Sequence, residues 1–373
     1  MQENALTPSE RQVLGLVFRR GAVTQGQIAE LTGLTQQSAS RIVAGLHEAG
    51  MVTVGMKALE GKRGYPSGAV QLNGSHTLSA GVAIMADRAA IALCDFSGNV
   101  VAEATALLPG MGTKAVLDWT EQQLATLTQR RPAILAGIGI AVTGSFVGER
   151  VGFNTPFYLN EWAEIDIEQL FRERFKLPTY ADNNGNVAAL CESMLGVGRW
   201  AKSFAYLYIS AGVGGGIVLD GEVWRGRHGN AGEFAGGLPT NIYPFPNLEL
   251  LRQITAKHGP VFDTVSELVD GFDPRWPSID EWIVRVRDSL SIIASNATAI
   301  LDLDAIVLGG LMPKALAERV IPAIELYDQK RRMVPRPVAR LVPAEAPGNP
   351  AAIGAALLPL KSTFFAPAAR AVA

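Results

Sequence analysis

The chain contains 373 residues, with 33 Lys and Arg against 35 Asp and Glu, and therefore a formal net charge of −2. This length corresponds to two or three domains, and a composition of 48% hydrophobic and 18% charged residues excludes wholesale disorder. Two cysteines, Cys94 and Cys191, exclude a disulfide framework and a Cys-rich zinc site. The near-neutral charge excludes a chain coated with basic residues for nucleic acid, but not a small basic module attached to a larger acidic domain.

The sequence predicts a cytoplasmic protein that makes no contact with a membrane. Residues 1–30 carry Glu3, Glu10 and Arg11 and lack an apolar core followed by a small-residue cleavage site. The longest apolar stretches, such as Ala133–Val142, cover about 10 residues, whereas a membrane-spanning helix needs about 20.

The first 72 residues have the pattern of three helices. Thr7-Pro8-Ser9-Glu10 is a capping box with Pro8 at the first helical position, and Thr24–Gln27 and Thr35–Ser38 open two further helices. Apolar residues follow each start at helical spacing. The helices are closed by three glycines, Gly21, Gly33 and Gly50. Two helices joined by a short glycine turn predict a helix-turn-helix.

Two short strands, Met51–Val54 and Gly68–Leu72, follow the helices and enclose the basic loop Gly61–Pro66. This arrangement predicts a wing. Glutamine pairs with adenine and arginine with guanine in the major groove, whereas basic side chains on a flexible loop reach phosphates or a minor groove. The alternative is a helical protein-interaction module with an ordinary solvated basic loop. The residues predicted to contact DNA are Gln36, Gln37, Ser38, Ser40, Arg41, Lys62 and Arg63.

From about residue 78 the pattern alternates between strands and helices, which predicts an α/β architecture. The predicted strands and helices are Leu78–Met85, Ala89–Cys94, Val100–Ala104, Lys114–Gln129, Ile134–Val142, Phe204–Ile209, Gly215–Leu219, Leu290–Leu301 and Ala305–Val307.

An ordered series of glycine-rich and polar segments gives this chain a resemblance to the ROK family, which combines sugar kinases with repressors that carry an N-terminal winged helix-turn-helix. The series consists of Gly61–Pro66, Gly137–Gly144, Ala181–Asn186, Ala211–Gly216, Gly229–Glu233, Ile306–Gly310 and Gly354–Ala356. The resemblance implies a winged helix-turn-helix followed by a two-lobed actin-like ATPase fold of the sugar-kinase, ribonuclease H-like type. The implied divisions are residues 1–74 for the DNA-binding domain, 75–181 plus 355–373 for the first lobe, and 182–354 for the second lobe with a dimerisation surface.

The chain departs from the family's kinases at the turn that binds ATP phosphates. The kinases place Asp-x-Gly-Gly-Thr there, whereas this chain has Ala83-Ile84-Met85-Ala86-Asp87. Both glycines are replaced, and Asp87 adds a negative charge at the position implied for phosphate, which opposes nucleotide binding.

The catalytic base is the second departure. The family's Glu-Asn-Asp-x-Asn motif corresponds to Asp182-Asn183-Asn184-Gly185-Asn186, so Asn184 stands where the kinases have the Asp that accepts the sugar's proton. An amide still forms hydrogen bonds with a hydroxyl but does not accept a proton near neutral pH. The nearby Asp182 is the remaining carboxylate.

The structural zinc of the family is the third departure. The expected His after the Gly-Glu motif is Gly236, and the stretch from Leu238 to Leu248 contains no Cys. A zinc site needs about four nitrogen or sulfur ligands. The sequence therefore predicts no metal and no cofactor.

The sugar pocket is retained in part. The resemblance assigns sugar contacts to Asn183, Glu233 and, through a looser correspondence, Glu249, and it places Gly144 in the neighbouring loop. Asn154 and Asn160 are both candidates for a further asparagine contact. Each of these has a structural alternative: a turn for the asparagines, a helix cap or ion pair for Glu233, and a helix start for Glu249. The ligand-binding set is Gly144, Asn154, Asn183, Asn184, Glu233 and Glu249.

Together these features predict a DNA-binding transcriptional regulator, a repressor of carbohydrate-related genes whose kinase-like domain senses a sugar without phosphorylating it. The expected partners are a pseudo-palindromic double-stranded operator, a carbohydrate effector, and further copies of the chain in a dimer or dimer of dimers. The alternatives are a bifunctional ROK sugar kinase with a DNA-binding head and a ligand-independent DNA-binding dimer. Residues 1–72 hold 7 basic and 5 acidic residues, so the near-neutral chain combines a weakly basic head with an acidic body.

Overall fold

The computed structural model describes residues 6–55, 68–129, 134–148, 152–327 and 337–365. Its N-terminal part, called the head, packs three helices on a short antiparallel sheet in the order β1-β3-β2. The predicted capping box of Thr7 with Glu10 is present, and the predicted helix start at Thr24 has a capping box with Gln27 as well. The elements of the head are α1 (Pro8–Arg20), β1 (Val23–Thr24), α2 (Gln25–Thr32), α3 (Gln36–Glu48), β2 (Val52–Gly55) and β3 (Ala69–Leu72).

The two predicted wing strands pair with each other, Val54 opposite Val70. The sequence pattern missed β1, because a strand of two residues is too short to show periodicity. The loop between β2 and β3, with the predicted contacts Lys62 and Arg63, lies outside the described residues.

The first lobe of the body is built on a sheet in the order β10-β7-β4-β5-β6. β4 pairs in parallel with β7 and antiparallel with β5. α4 and α5 cover one face through an apolar cluster that includes Val116 and Phe171. The elements are β4 (Leu78–Ile84), β5 (Ala89–Asp95), β6 (Val100–Ala106), α4 (Thr113–Thr128), β7 (Leu135–Val142), the hairpin β8 (Ser145–Val147) with β9 (Gly152–Asn154), α5 (Ile167–Phe175) and β10 (Thr179–Asn183).

The second lobe has a sheet in the order β13-β12-β11-β14-β15. Its outer face is covered by α7, α9 and α10, and the fully buried Trp282 lies in this cluster. α9 begins at Pro277, 13 residues before the start that apolar spacing predicts, because its first turns are amphipathic surface helix. The elements are α6 (Asn184–Leu195), β11 (Phe204–Ile209), β12 (Val213–Leu219), β13 (Glu222–Trp224), α7 (Leu248–His258), α8 (Val265–Asp270), α9 (Pro277–Leu301), β14 (Ala305–Gly310), α10 (Lys314–Val320), β15 (Arg340–Pro343) and α11 (Pro350–Phe364).

Two helices, α6 and α11, form the layer between the sheets of the two lobes. α11 lies against β4 and β7 so closely that a Cβ atom at Gly81 or Gly139 would overlap its backbone. Gly354 allows the same close approach between α11 and α6. The glycines therefore fix the depth at which α11 is buried.

The head packs against the C-terminal end of α11. Arg11 of α1 donates through Nη2 to the carbonyl oxygen of Ser362, 2.6 Å away. The rings of Phe18 and Phe365 lie 4.8 Å apart between centroids. Among the helices that the structure describes, none is both long and apolar enough to cross a bilayer.

Candidate functional site

A cleft of about 630 Å³ opens between the two lobes. It lies beyond the carboxyl ends of β4, β7, β10 and β11, where ligands bind in open α/β sheets. All six predicted ligand-binding residues line it: Gly144, Asn154, Asn183, Asn184, Glu233 and Glu249. Asn160, the alternative to Asn154, is not among the lining residues.

One end of the cleft, called the asparagine end, comprises Thr143, Gly144, Asn183, Asn184 and Glu233. Asn183 closes β10 and caps α6, with its Oδ1 accepting a 2.7 Å hydrogen bond from the backbone N–H of Gly185. Its Nδ2 donates to the carbonyl oxygen of Gly144. These bonds fix the turn from strand to helix, as the structural alternative anticipated, and they place Asn183 in the cleft wall.

Asn184 occupies the first position of α6 and is 4% exposed. Its Nδ2 donates to Oγ1 of Thr143 over 2.7 Å. The Thr143 hydroxyl in turn donates to the carbonyl oxygen of Ile84. Because that hydroxyl proton is used, Oγ1 can only accept, and the Asn184 amide must present its nitrogen to it. Oδ1 of Asn184 is left buried without a partner among the described residues.

Asp182, the remaining carboxylate of the motif, is held beneath the cleft wall. Its side chain is 3% exposed and is paired through Oδ2 with Nε of Arg225, 2.6 Å away. Its Oδ1 accepts hydrogen bonds of 2.8 Å from Nδ2 of Asn186 and from the backbone N–H of Asn183. With both oxygens in use, Asp182 supports the strand-to-helix turn and does not face the cleft as a free base.

The two predicted glutamates have different surroundings. The Glu233 carboxylate forms no hydrogen bond or ion pair with the described part of the chain, and burial in the cleft wall raises its pKa because burial penalises the charged form. Glu249 lies in the first turn of α7 and is held by Arg252, with an Nη2–Oε1 distance of 2.7 Å. That arginine lowers the pKa of Glu249. Of the two predicted glutamates, Glu233 is therefore the one whose carboxylate is available to a ligand.

The other end of the cleft, called the hairpin end, is formed by the turn between β4 and β5, Met85–Arg88, and by α8. Ser266 of α8 donates through Oγ to Oδ1 of Asp87 over 2.6 Å. Arg88 makes two hydrogen bonds to the carboxylate of Asp270, of 3.2 and 2.5 Å. The turn that matches the kinases' phosphate loop is thus tied to the opposite lobe.

The predicted glycine run forms the tight β11–β12 hairpin, in which Tyr208 pairs with Gly214. A Cβ atom at Gly212 or Gly214 would meet nothing within 4 Å, and both residues line the cleft. Packing therefore does not require glycine at these two positions. They leave room on the cleft side of the hairpin.

Metal-binding and nucleophilic residues are not assembled at the cleft. No group of three or more His, Cys, Asp or Glu within the described ranges has an arrangement that could hold a metal ion. Cys94 and Cys191 are buried, and burial raises the pKa of Cys94 to about 12. Both cysteines are therefore inert core residues, as predicted.

The head presents the polar face of α3 to solvent. Gln36, Gln37, Ser40 and Arg41 are exposed, whereas Ala39, Val43 and Leu46 are buried on the opposite face. Ser38 is half-buried, and its Oγ accepts a 2.9 Å hydrogen bond from the Thr35 hydroxyl at the helix cap. Four of the predicted contacts on α3 thus share one accessible face, and Ser38 lies at its edge.

The prediction missed several residues that line the cleft. Tyr208 and Ser210 lie at the carboxyl end of β11, a position that the rule for α/β sheets would have indicated. Tyr158 lies in the short 3-10 helix Phe157–Trp162, and Asp263 and Thr264 lie in a loop. Nothing in their local sequence connects these three residues to the cleft. The tryptophans Trp162, Trp200 and Trp224 are absent from the described lining, as expected for core or rim residues.

Comparisons with known proteins agree with both parts of this structure. The ROK family model matches residues 79–241, and the MarR family model matches residues 6–63. The uncharacterized protein y4fQ of Sinorhizobium fredii is 28% identical over 371 residues, covering 96% of this chain and 92% of y4fQ. The xylose repressor of Bacillus subtilis is 25% identical over 233 residues, covering 60% of this chain and 59% of that repressor.

A crystal structure described as a ROK family transcriptional regulator, a homolog of the Escherichia coli MLC protein, superimposes with a TM-score of 0.68. The alignment covers 95% of this chain and 96% of that one at 19% identity, so it compares folds. Residues 79–241 therefore match the ROK family, and residues 6–63, which include the helices of the head, match the MarR family.

Proposed function

We propose that the protein is a DNA-binding transcriptional repressor of carbohydrate-related genes, and that its ROK body senses a sugar without phosphorylating it. The observation that carries this proposal is that the motif Asp182–Asn186, where β10 meets α6, has no free carboxylate. Asn184 stands at the position of the kinases' base, and Asp182 is fixed by Arg225. The cleft keeps groups that bind hydroxyls but offers no free carboxylate at the motif to accept their proton.

The winged helix gives the second half of the proposal. The exposed face of α3, with Gln36, Gln37, Ser40 and Arg41, has the side chains that read base edges in a major groove. A head with a small positive charge gains little affinity from phosphates alone. We therefore expect two heads of a dimer to bind a pseudo-palindromic operator whose half-sites are spaced by whole helical turns.

α11 offers a physical link between cleft and head. At its start, Nδ2 of Asn349 lies 4.0 Å from the sulfur of Met85, which lines the cleft. At its end, Ser362 and Phe365 contact α1. The helix of 15 residues covers about 22 Å at 1.5 Å per residue. A ligand that binds the two lobe arrangements with different affinity would shift the head through this helix.

The DNA half of the proposal is tested with the purified full chain. Selection from a random duplex pool identifies the preferred site, and fluorescence anisotropy measures binding to it. Arg41→Ala should weaken binding by about 1–3 kcal/mol and relax the preference at one base. Arg172→Ala, which removes an exposed arginine from α5, is the matched control. Equal binding by wild type and Arg41→Ala would contradict the assigned surface.

The sensing half is tested by adding unmodified sugars to the protein–DNA complex and by a separate kinase assay with ATP and Mg²⁺. A sugar that changes operator affinity without sugar-dependent ADP release supports the proposal. ADP release above that of an Asn183→Ala/Glu233→Ala variant would favour the bifunctional kinase. Operator binding that no sugar alters would favour the ligand-independent dimer, and sedimentation velocity checks the oligomeric state.

A further inference from the structure

The charges that face the cleft are of one sign. Its lining includes the carboxylates of Asp87, Glu233, Glu249 and Asp263. Lys, Arg and His are absent from the part of the lining that the structure describes. A negatively charged group in this cleft would meet like charges, which weakens its binding.

The cations closest to these carboxylates are already paired. Arg252 binds Glu249 through Nη2 and Nε over 2.7 and 2.8 Å. Arg88 adjoins Asp87 in the chain but binds Asp270, and its side chain is 18% exposed. Neither arginine lines the cleft. Arg252 offsets part of the charge of Glu249, and Arg88 attracts Asp87 without forming an ion pair with it. Glu233 forms no ion pair with the described part of the chain.

Two buried acceptor atoms in the cleft lining are unpaired. The first is Oδ1 of Asn184, a residue that is only 4% exposed. The hydrogen bonds from Asn184 to Thr143 and from Thr143 to Ile84 fix the orientation of its amide. The second is Oδ2 of Asp87, whose other oxygen accepts from Ser266. A buried acceptor without a donor costs about 1–3 kcal/mol.

These acceptors specify what a complementary ligand carries. A hydroxyl or an ammonium group donates a hydrogen bond to an amide or carboxylate oxygen, whereas a phosphate at neutral pH presents mainly acceptors. Thr143 uses its hydroxyl proton on the carbonyl oxygen of Ile84, and Asn183 uses one of its two amide protons on that of Gly144, so both have fewer donors left for an anion. The described lining therefore offers four carboxylates to a ligand that donates hydrogen bonds and no cationic side chain to an anion.

We propose that the effector is an unphosphorylated sugar, and that the cleft binds amino sugars more tightly than their uncharged parents and rejects their phosphates. The inference rests on the proposed sensing function and adds the chemical class of the ligand. A protonated amino group would be attracted to Asp87 and Glu233 by charge as well as by hydrogen bonding.

The test measures binding to the full-length protein by isothermal titration calorimetry at neutral pH. The ligands are four matched series: glucose, mannose and galactose, each with its 2-amino-2-deoxy and 6-phosphate forms, and xylose with its 5-phosphate. Within the series that binds, we expect the amino form to bind more tightly than the parent, and an amino form that binds no more tightly would overturn the inference. The phosphate should bind at least about ten-fold more weakly than the parent.

Two variants locate the effect. Asp87→Asn keeps the shape of the side chain and should reduce the amino-sugar preference about ten-fold or less while improving phosphate binding. Asp288→Asn removes an exposed carboxylate of α9 that does not line the cleft. This variant should change neither the preference for the amino sugar nor the affinity for the phosphate.

The outcomes separate this inference from the function on which it rests. A phosphate that binds as tightly as its parent sugar, or tighter, overturns the inference and leaves sensing intact. If Asp87→Asn and Asp288→Asn reduce the preference for the amino sugar equally, the inference is also overturned, because the preference would then come from long-range charge and not from the cleft. If no compound of any series binds, the sensing function itself fails.

Discussion

The asparagine end and the hairpin end of the cleft hold their polar groups in opposite ways. At the asparagine end, Asp182 and Arg225 form an ion pair beneath the wall. Above it, Oδ1 of Asn184 and the carboxylate of Glu233 have no partner among the described residues. At the hairpin end, Asp87 and Arg88 are themselves bound across the lobes to Ser266 and Asp270. Buried support leaves the groups of the binding surface unpaired, whereas contacts made directly between the lobes occupy Arg88 and one of the two carboxylate oxygens of Asp87.

The largest expected effect concerns the support beneath the asparagine end. Arg225→Ala would leave the 3% exposed side chain of Asp182 buried without its cation. Because Arg225 itself is 33% exposed, the loss falls at the low end of the range for breaking a buried pair, about 3 kcal/mol. Urea unfolding with Arg172→Ala as control measures it. A loss below about 1 kcal/mol would show that Asn186 and the backbone suffice to hold Asp182.

Effector binding should depend most directly on Glu233. Glu233→Gln keeps the hydrogen-bonding shape and removes the charge, so we expect affinity for the best sugar to fall about ten-fold, near 1.4 kcal/mol. Calorimetry measures the change. Glu281→Gln, on the outer surface of α9, is the control. Unchanged affinity in Glu233→Gln would remove this residue from the binding set.

Because of Glu233, we expect the stability of the fold and the affinity for the effector to change in opposite directions with pH. Burial raises the pKa of Glu233, so the folded state holds its proton more tightly than the unfolded chain does. Its contribution to stability is therefore fully present below the unfolded pKa and is lost as pH rises through the folded pKa. Effector affinity should instead increase over that window as the carboxylate ionises. The melting temperature and the effector affinity measured by calorimetry should both depend less on pH between pH 4 and 7 in Glu233→Gln than in the wild type.

The hairpin end should contribute less to stability than to the closure of the lobes. Arg88→Ala removes an ion pair whose acidic partner is 58% exposed, so we expect a loss of about 1 kcal/mol or less. Without this contact the lobes should separate more, and small-angle scattering of the effector-free protein should report a larger radius of gyration. The Arg88→Ala/Asp270→Ala double variant should show little further change. An additive increase in the double variant would contradict a direct pair.

The smallest expected effect on stability is that of Gly214→Ala. The added methyl group meets no atom within 4 Å, so the free energy of unfolding should change by less than about 1 kcal/mol. The effector affinity of Gly214→Ala then shows whether the bound ligand reaches the β11–β12 hairpin. A clear decrease places the ligand against the β11–β12 hairpin, and unchanged affinity confines it to the asparagine end. Gly45→Ala, on the open side of α3, tests the same substitution away from the cleft.

Local sequence signals predicted much of the fold. The capping boxes at Thr7 and Thr24 fix helix starts because two side-chain–backbone bonds close over four consecutive residues. Buried strands such as Leu135–Val142 show as apolar runs. The sequence did not predict β1 or the short hairpin β8–β9, because strands of two or three residues are defined by their pairing partners and are too short to show periodicity.

The candidate site could be predicted only as far as the family motifs extend. Asn183, Asn184 and Glu233 follow from their positions in the motifs, and all three line the cleft. The partners that decide their chemistry come from distant parts of the chain: Arg225 lies 43 residues from Asp182, and Ser266 lies 179 residues from Asp87. Such pairings arise when the lobes pack, and single-sequence patterns carry no record of them.

The position of α11 has a consequence for how the protein folds during synthesis. The head emerges from the ribosome first and contains its own buried residues, such as Leu14, Ile28 and Val43. The first lobe's sheet follows, but its inner face is covered by residues 350–364, which are made more than 150 residues after β10 is complete. A nascent chain therefore presents a folded head before the body that would regulate it can close. Premature termination ahead of Pro350 would leave that head without the helix on which it rests.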